Sequence, residues 1–316
     1  MKKQLLAVFL TGIFAAAAPV AAAPLEISGT ATIKYEADSA ANTPTEAGTM
    51  YTITLRGEQK LSPNFSVFAR IGAQYATNPT LADFNQAAYS ENTKAVVALD
   101  QYGFIYKPNK LTFTLGRQPA IIGTTALLYQ RHEENIGNSA FVEGLSIQGK
   151  VGSVDLSAIA AREKNLWLPN NSLYAIRGGV DLSKNWAAGL TLARYKYNEG
   201  NASNHWAVDT TATFGKASIT AEYTQSNLSA DNSAYAVTLN YDFNGKTALY
   251  VTNFRVGANG DMGGQSEFDN NNRGFYYGLT HAFNDKLSLE LTYKDQVLMS
   301  DNSKNSKWEV FLRNSF

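Results

Sequence analysis

The sequence predicts an all-β fold: a 16-stranded antiparallel transmembrane β-barrel with an inward-folded third loop, formed by residues 23–316 behind a signal peptide at 1–22. Three observations carry that expectation. Apolar and polar residues alternate with period two along most of the chain, short turns alternate with longer connections, and charges crowd one face of the strands while aromatics gather at the ends of the other.

The N-terminus sets the context. Met1-Lys2-Lys3-Gln4 is a short basic start, residues 5–18 form an apolar run, and Val20-Ala21-Ala22 offers small residues to a signal peptidase. Cleavage after Ala22 would leave 294 of the 316 residues. Beyond Ala23 no stretch of 18 apolar residues occurs, so a helical membrane protein is not expected. The charge balance, 27 Lys+Arg against 27 Asp+Glu with no long basic run, excludes the electrostatic footprint of a nucleic-acid binder. With no cysteine, a disulfide framework, a thiolate metal site and a cysteine nucleophile are excluded as well. A hydrophobic fraction of 44% looks like that of a soluble protein, but half-apolar strands average to the same figure.

Alternation is clearest in residues 233–243, where Tyr235, Val237, Leu239, Tyr241 and Phe243 point one way. It recurs in 25–35, 51–58, 65–74, 174–182, 206–214, 217–224 and 287–294. Seven short turns separate alternate pairs of such segments, at Ser62-Pro63-Asn64, Pro108-Asn109-Lys110, Gly152-Ser153, Ser183-Lys184-Asn185, Gly215-Lys216, Asn244-Gly245-Lys246 and Asn284-Asp285-Lys286. Between them lie eight longer connections, at 36–48, 77–93, 118–141, 164–171, 199–203, 226–231, 257–272 and 298–304. Sixteen strands result, with both chain ends on the short-turn side. Spread over 294 residues, that leaves about 18 per strand with its connection, room for tilted membrane strands of roughly 9–11 residues. In lipid the sheet must close, because an open edge cannot be satisfied there.

The apolar face carries Phe65, Phe214, Tyr241, Phe243 and Phe283 beside short turns, and Tyr35, Tyr51, Tyr75, Tyr174, Trp206, Tyr235, Tyr293 and Trp308 beside longer connections. Two aromatic bands of this kind match the two water–lipid interfaces. The polar face carries Arg56, Glu58, Arg70, Arg177, Asp181, Glu222, Glu290, Lys294, Glu309 and Arg313, which suit a wet lumen rather than a dry core. The third connection holds Ile121, Ile122, Ala126, Leu127, Leu128 and Tyr129, apolar residues better placed against the inner wall than in water. A helical turn or two is expected over Thr125–Glu134, leaving Arg131, Glu133 and Glu134 for the channel. An external loop that meets a neighbouring subunit remains the alternative. His132, His205 and His281 show no metal-ligand spacing, and Gly260-Asp261 with Asp269-Asn270-Asn271-Asn272 lacks the final Glu of a calcium loop. No cofactor or metal is expected.

The resemblance is to the general, trimeric porins of Gram-negative outer membranes, spread over the whole mature chain. Leu55-Arg56-Gly57-Glu58-Gln59-Lys60-Leu61 is similar to the family's second-strand segment, and Leu115-Gly116-Arg117-Gln118 to the Gly-Arg that precedes its long third loop. The tail, with Trp308, Val310, Leu312 and a terminal Phe316, resembles the signal through which the barrel-insertion machinery recognises such proteins. The resemblance implies an outer-membrane homotrimer in the lipid bilayer. It also implies a water-filled channel for passive diffusion of small hydrophilic solutes and ions, without catalysis. Its eyelet would set Glu133 and Glu134 against Arg117, Arg56, Arg70 and Arg177, with Arg131 beside the carboxylates; Thr52 stands where well-known members carry a wall arginine. Alternation from Leu111 turns Arg117 outward, so an inward Arg117 needs a bulge or the end of the strand. Residues 187–197 are a candidate subunit contact. A sugar- or anion-selective channel is the alternative, with Tyr276 and Phe68 as lumenal aromatics; an outer-membrane barrel enzyme or a closed adhesive barrel is less favoured.

Overall fold

The computed structural model describes residues 24–41, 43–81, 84, 93–131, 136, 140–166 and 168–316. The strands are β1 (Glu26–Ala40), β2 (Glu46–Ser62), β3 (Phe65–Ala76), β4 (Ala95–Tyr106), β5 (Leu111–Gln118), β6 (Ala120–Ile122), β7 (Tyr129–Arg131), β8 (Val142–Val151) and β9 (Val154–Glu163). They continue as β10 (Ser172–Ser183), β11 (Trp186–Lys196), β12 (Ala202–Phe214), β13 (Ala217–Ser226), β14 (Ser233–Asp242), β15 (Thr247–Val256), β16 (Asn272–Ala282), β17 (Leu287–Leu298) and β18 (Lys304–Ser315). All except β6 and β7 form one closed antiparallel barrel of sixteen strands, in which β1 pairs with both β2 and β18; β6 and β7 form a separate hairpin.

Alternation fixes the two faces. On β1, Ile33 and Tyr35 are exposed while Lys34 and Glu36 are buried, and the registers carry this parity from strand to strand. The outward face holds apolar side chains such as Ile53, Leu99, Leu192, Val208 and Leu239, each 40–55% exposed in the isolated chain. Tyr277, Tyr293 and Trp308 stack in sequence across β16, β17 and β18, so the loop-end aromatic band is continuous there. Such a face is far more apolar than the surface that water covers on a monomer, as on barrels that cross a membrane.

The chain ends close the barrel. The Phe316 amide donates to the Gly29 carbonyl at 3.0 Å, and the Gly29 amide donates back at 2.9 Å. A Cβ at Gly29 would lie 2.5 Å from the Thr54 carbonyl and 2.7 Å from the Phe316 ring, so the terminal aromatic takes the space that only glycine leaves.

Several boundaries differ from the sequence reading. The first connection shrinks to 41–45 because Glu36 and Asp38 stay in β1, where their inward carboxylates meet Lys34 and Lys307. Those between β11 and β12 and between β13 and β14 are 197–201 and 227–232, so some longer connections are only five or six residues. The helical turn expected from Thr125 is absent over 125–131: Ala126 takes a φ of +57° and Tyr129–Arg131 are extended. Backbone partners outside the segment explain this. The Gln130 amide donates to the Gln265 carbonyl at 2.5 Å, and the Ala126 carbonyl accepts from the Glu267 amide at 3.1 Å.

Candidate pore lining and constriction

Four groups of side chains shape the inner face. On β1, β17 and β18, Lys34 lies 3.1 Å from both Glu36 and Glu309, and Lys294 lies 2.8 Å from Glu309. Alternating signs on adjacent inward positions let these buried charges neutralise one another. On β2 to β4, the register shifts opposite Asp100, so Asp100 and Gln101 both turn inward. Asp100 then receives Arg70 through two hydrogen bonds, Nε to Oδ1 at 3.0 Å and Nη2 to Oδ2 at 2.7 Å. Arg56 lies 4.0 Å above the Phe68 ring and 3.4 Å from both Gln101 Oε1 and Glu58. On β10 and β12, Arg177 grips Asp209 through Nε at 2.9 Å and Nη2 at 2.6 Å, with Asp209 beside Glu222 in register.

The fourth group is the β6–β7 hairpin. Its Ala120, Ile122, Leu128 and Tyr129 are buried with Val142, Ala161, Leu173, Ala193 and Ala207, all on the inward parity of β8 to β12. Leu127 packs on the other side, with Ala236, Phe254, Phe268 and Tyr276. The tip is pinned by Glu222, whose Oε2 accepts the Thr125 amide at 2.7 Å and the Thr125 hydroxyl at 2.8 Å. Gly123, at φ +98°, faces that carboxylate so closely that any Cβ would collide with it. At the base, Glu163 accepts the Tyr129 and Tyr195 hydroxyls at 3.0 and 2.8 Å and pairs with Arg131 at 3.3 Å.

Connection 257–271 completes this layer. The Met262 amide donates to the Leu128 carbonyl at 2.9 Å, and Met262 and Phe268 are buried among the hairpin residues. Asp261 holds the connection's own turn, accepting the Gly264 amide at 3.0 Å and the Asn270 side chain at 2.8 Å. Burial pushes its carboxyl up to about 6, against the lowering effect of those hydrogen bonds. Among the described residues no group of three His, Asp or Glu could hold a metal.

Two chambers adjoin the hairpin. One, of about 450 Å³, is lined by Arg56, Gln101, Gln148, Arg177, Ile121 and Ile122 among others. The second, of about 700 Å³, is lined by Arg131, Glu163, Tyr195, Tyr197, Asn201 and Gln265 among others.

The residues expected to act together are thus divided. Arg56 and Arg70 are register partners, and Arg117 joins Arg70 near the Phe141 ring, at 5.7 and 5.1 Å. Arg177 lines the same chamber as Arg56, whereas Arg131 lines the other. Arg117 keeps the outward register position, opposite Tyr102 and Glu143, yet it is buried, and its Nε reaches the Asp100 carbonyl at the neighbouring bulge, 2.8 Å away. Glu133 and Glu134, with His132, lie outside the described residues. His205 is buried against Ser203, and His281 lies edge-on to Phe283 and bonded to Thr247 on the outward face. Sequence reasoning missed Asp100, Glu163 and Asp209 as partners of the arginines. It also missed connection 257–271, although Met262 and Phe268 in a Gly- and Asn-rich stretch repeat the signal that singled out the third connection.

The backbone is shared with the porin of Rhodopseudomonas blastica. A triple mutant of that porin aligns with TM-score 0.60 at 11% identity, covering 92% of this chain and 100% of its own. A variant with five substitutions gives 0.60 at 11%, and an engineered protein described by its asymmetric conductivity gives 0.60 at 12%, both with the same coverage. No family model and no curated protein matches the sequence. At such low identity the likeness reaches the path of the chain and no further: this is a closed, sixteen-stranded barrel of the porin type.

Proposed function

We propose that the chain is an outer-membrane channel for passive diffusion of small hydrophilic solutes and ions, narrowed by the β6–β7 hairpin lying inside the lumen. The observation that carries this reading is the packing of Leu127, Leu128 and Tyr129 on inward-facing wall residues within a barrel whose outward face is apolar. Solutes stay hydrated and are biased by wall charge and width, with no covalent step. The hairpin and connection 257–271 together form the narrowing, with Arg56, Arg70, Arg131 and Arg177 around it, whereas Arg117 keeps the outward register position. Export by the 1–22 leader, homotrimer assembly and delivery through the Phe316 strand belong to the same reading, supported by the basic and apolar start and the aromatic chain end.

A preference for anions is the second reading. It is favoured by the 450 Å³ chamber, whose described lining includes Arg56 and Arg177 and no carboxylate. Planar-bilayer recording of the refolded chain tests both. Stepwise conductance is expected, larger in a variant lacking residues 120–138, with a reversal potential in a salt gradient displaced toward the anion. Absence of steps overturns the channel, unchanged conductance in the deletion overturns the constriction, and a cation-directed potential overturns the anion preference.

A further inference from the structure

The outward face of β9, β10 and β11 changes character at its loop end. Ser172 on β10 is the register partner of Arg162 on one side and of Lys196 on the other. One step deeper, Tyr174 is flanked by Ala160 and Arg194, and Lys164 continues the row just past the end of β9. All four cations are exposed. Lys164 pairs with Glu143 at 3.4 Å; Glu143 is also the register partner of Arg162 on β8, and the Arg162 Nε donates to the Asn170 carbonyl at 3.4 Å. Arg194 and Lys196 make no ion pair among the described residues; Glu199 is the one acid in the 197–201 connection that follows them.

Among the described residues, Arg255 on β15 and Arg273 on β16 are another cross-strand pair of outward cations on this rim. The loop ends of β1, β2 and β3 present Tyr35, Tyr51 and Tyr75 outward without charge, and Arg255 on β15 is matched by Asp231 at 3.5 Å. Below the cations the same three strands offer Leu190, Leu192 and Ile176, about half exposed, and small Ala158 and Ala160, a smooth apolar strip. Arg162 and Lys196 are two strand spacings apart, roughly 10 Å, and Arg194 lies about 7 Å along the strand from Lys196. A single phosphorylated headgroup spans such distances, and guanidinium groups pair with phosphate oxygens bidentately.

We propose that Arg162, Arg194 and Lys196, with Ser172 and Tyr174 between them, form a docking site for an anionic, phosphorylated lipid of the loop-end leaflet, with its acyl chains on the strip below. The apolar strip selects a lipid over free phosphate, because inorganic phosphate gains nothing from Leu190 or Leu192. The proposal rests on the reading of the chain as a membrane barrel, and it assigns the outward face of 187–197 to lipid in place of the subunit contact expected there from the sequence.

Native mass spectrometry of the refolded full chain tests it, with phosphatidylglycerol and phosphatidylcholine as probes. At about 1 kcal/mol for each surface cation, loss of three weakens retention of phosphatidylglycerol roughly 100-fold in the Arg162→Gln, Arg194→Gln, Lys196→Gln variant. Replacing Lys184, Lys246 and Lys286 at the turn end by Gln is expected to change nothing. Equal retention by the triple variant, equal uptake of phosphatidylcholine, or displacement by inorganic phosphate overturns the proposal. If the triple variant does not fold, the native chain decides alone: retention must fall steeply with added salt, and salt-insensitive binding overturns the site. Conductance of the same preparations, measured separately, shows whether the barrel reading itself has failed.

Discussion

Removing Arg177 is expected to cost far more stability than removing its partner Asp209. The two share a bidentate contact at 2.9 and 2.6 Å, but their surroundings are unequal: the Arg177 side chain is 25% exposed toward the 450 Å³ chamber, whereas that of Asp209 is 2% exposed. Arg177→Leu leaves the Asp209 carboxylate buried beside Glu222 with its strongest partner gone, and breaking a buried pair in this way costs about 3–5 kcal/mol. Asp209→Ala instead leaves a guanidinium that can turn into water, so the loss is that of its charged hydrogen bonds, about 1.5–3 kcal/mol. Replacing both by Leu is expected to fall near the native value. Urea titration of the refolded barrel by tryptophan fluorescence provides the three stabilities, and the same samples provide reversal potentials. Asp209→Ala moves the potential toward anions, because the chamber gains an unpaired cation. The reasoning fails if Arg177→Leu costs less than about 1 kcal/mol or if Asp209→Ala is the costlier of the two.

Two further outcomes follow from the geometry. Gly29→Ala drives a methyl group into the Thr54 carbonyl and the Phe316 ring, with an expected loss of about 1–3 kcal/mol and slower insertion into vesicles. Phe316→Ala in the same chain relieves the ring contact and recovers part of that loss; no recovery would mean that the backbone contact alone matters. Asp261 couples connection 257–271 to pH. Its carboxyl titrates at about 6 when docked, above the usual 3.8, so docking is strongest below about 4 and weakens as pH rises through 6. A shift of this size is worth about 3 kcal/mol, or roughly 100-fold in hydrogen-exchange protection of the Met262 and Glu267 amides. Asp261→Asn flattens that dependence, and a native profile that is already flat refutes the coupling.

Most of the barrel was legible locally. Alternation is a property of neighbouring residues, so the polar partners Lys294, Glu309 and Arg177 could be assigned to the inner face and Leu239 or Leu291 to lipid from the residues on either side. Turn residues mark chain reversals equally locally, and all seven short turns fall where Gly, Asn, Pro and Ser place them. Strand ends were less legible. Glu36-Ala37-Asp38 reads as loop by polarity, whereas in the fold Lys307, on a strand more than 260 residues away, pairs with both carboxylates while they extend β1.

Composition, parity and turn chemistry therefore determine how many strands the chain forms and which residues each face receives. Which of these side chains pair with one another is decided only by the closed barrel. Thr125 and Glu222 are 97 residues apart, Arg177 and Asp209 are 32 apart, and the bulge that turns Asp100 inward is visible only through the register of its neighbour. Closure brings these groups within hydrogen-bond distance in a confined interior, where an unmatched charge costs several kcal/mol. The arginines that a sequence reading leaves as free wall charges are for that reason largely held by carboxylates that only the fold supplies.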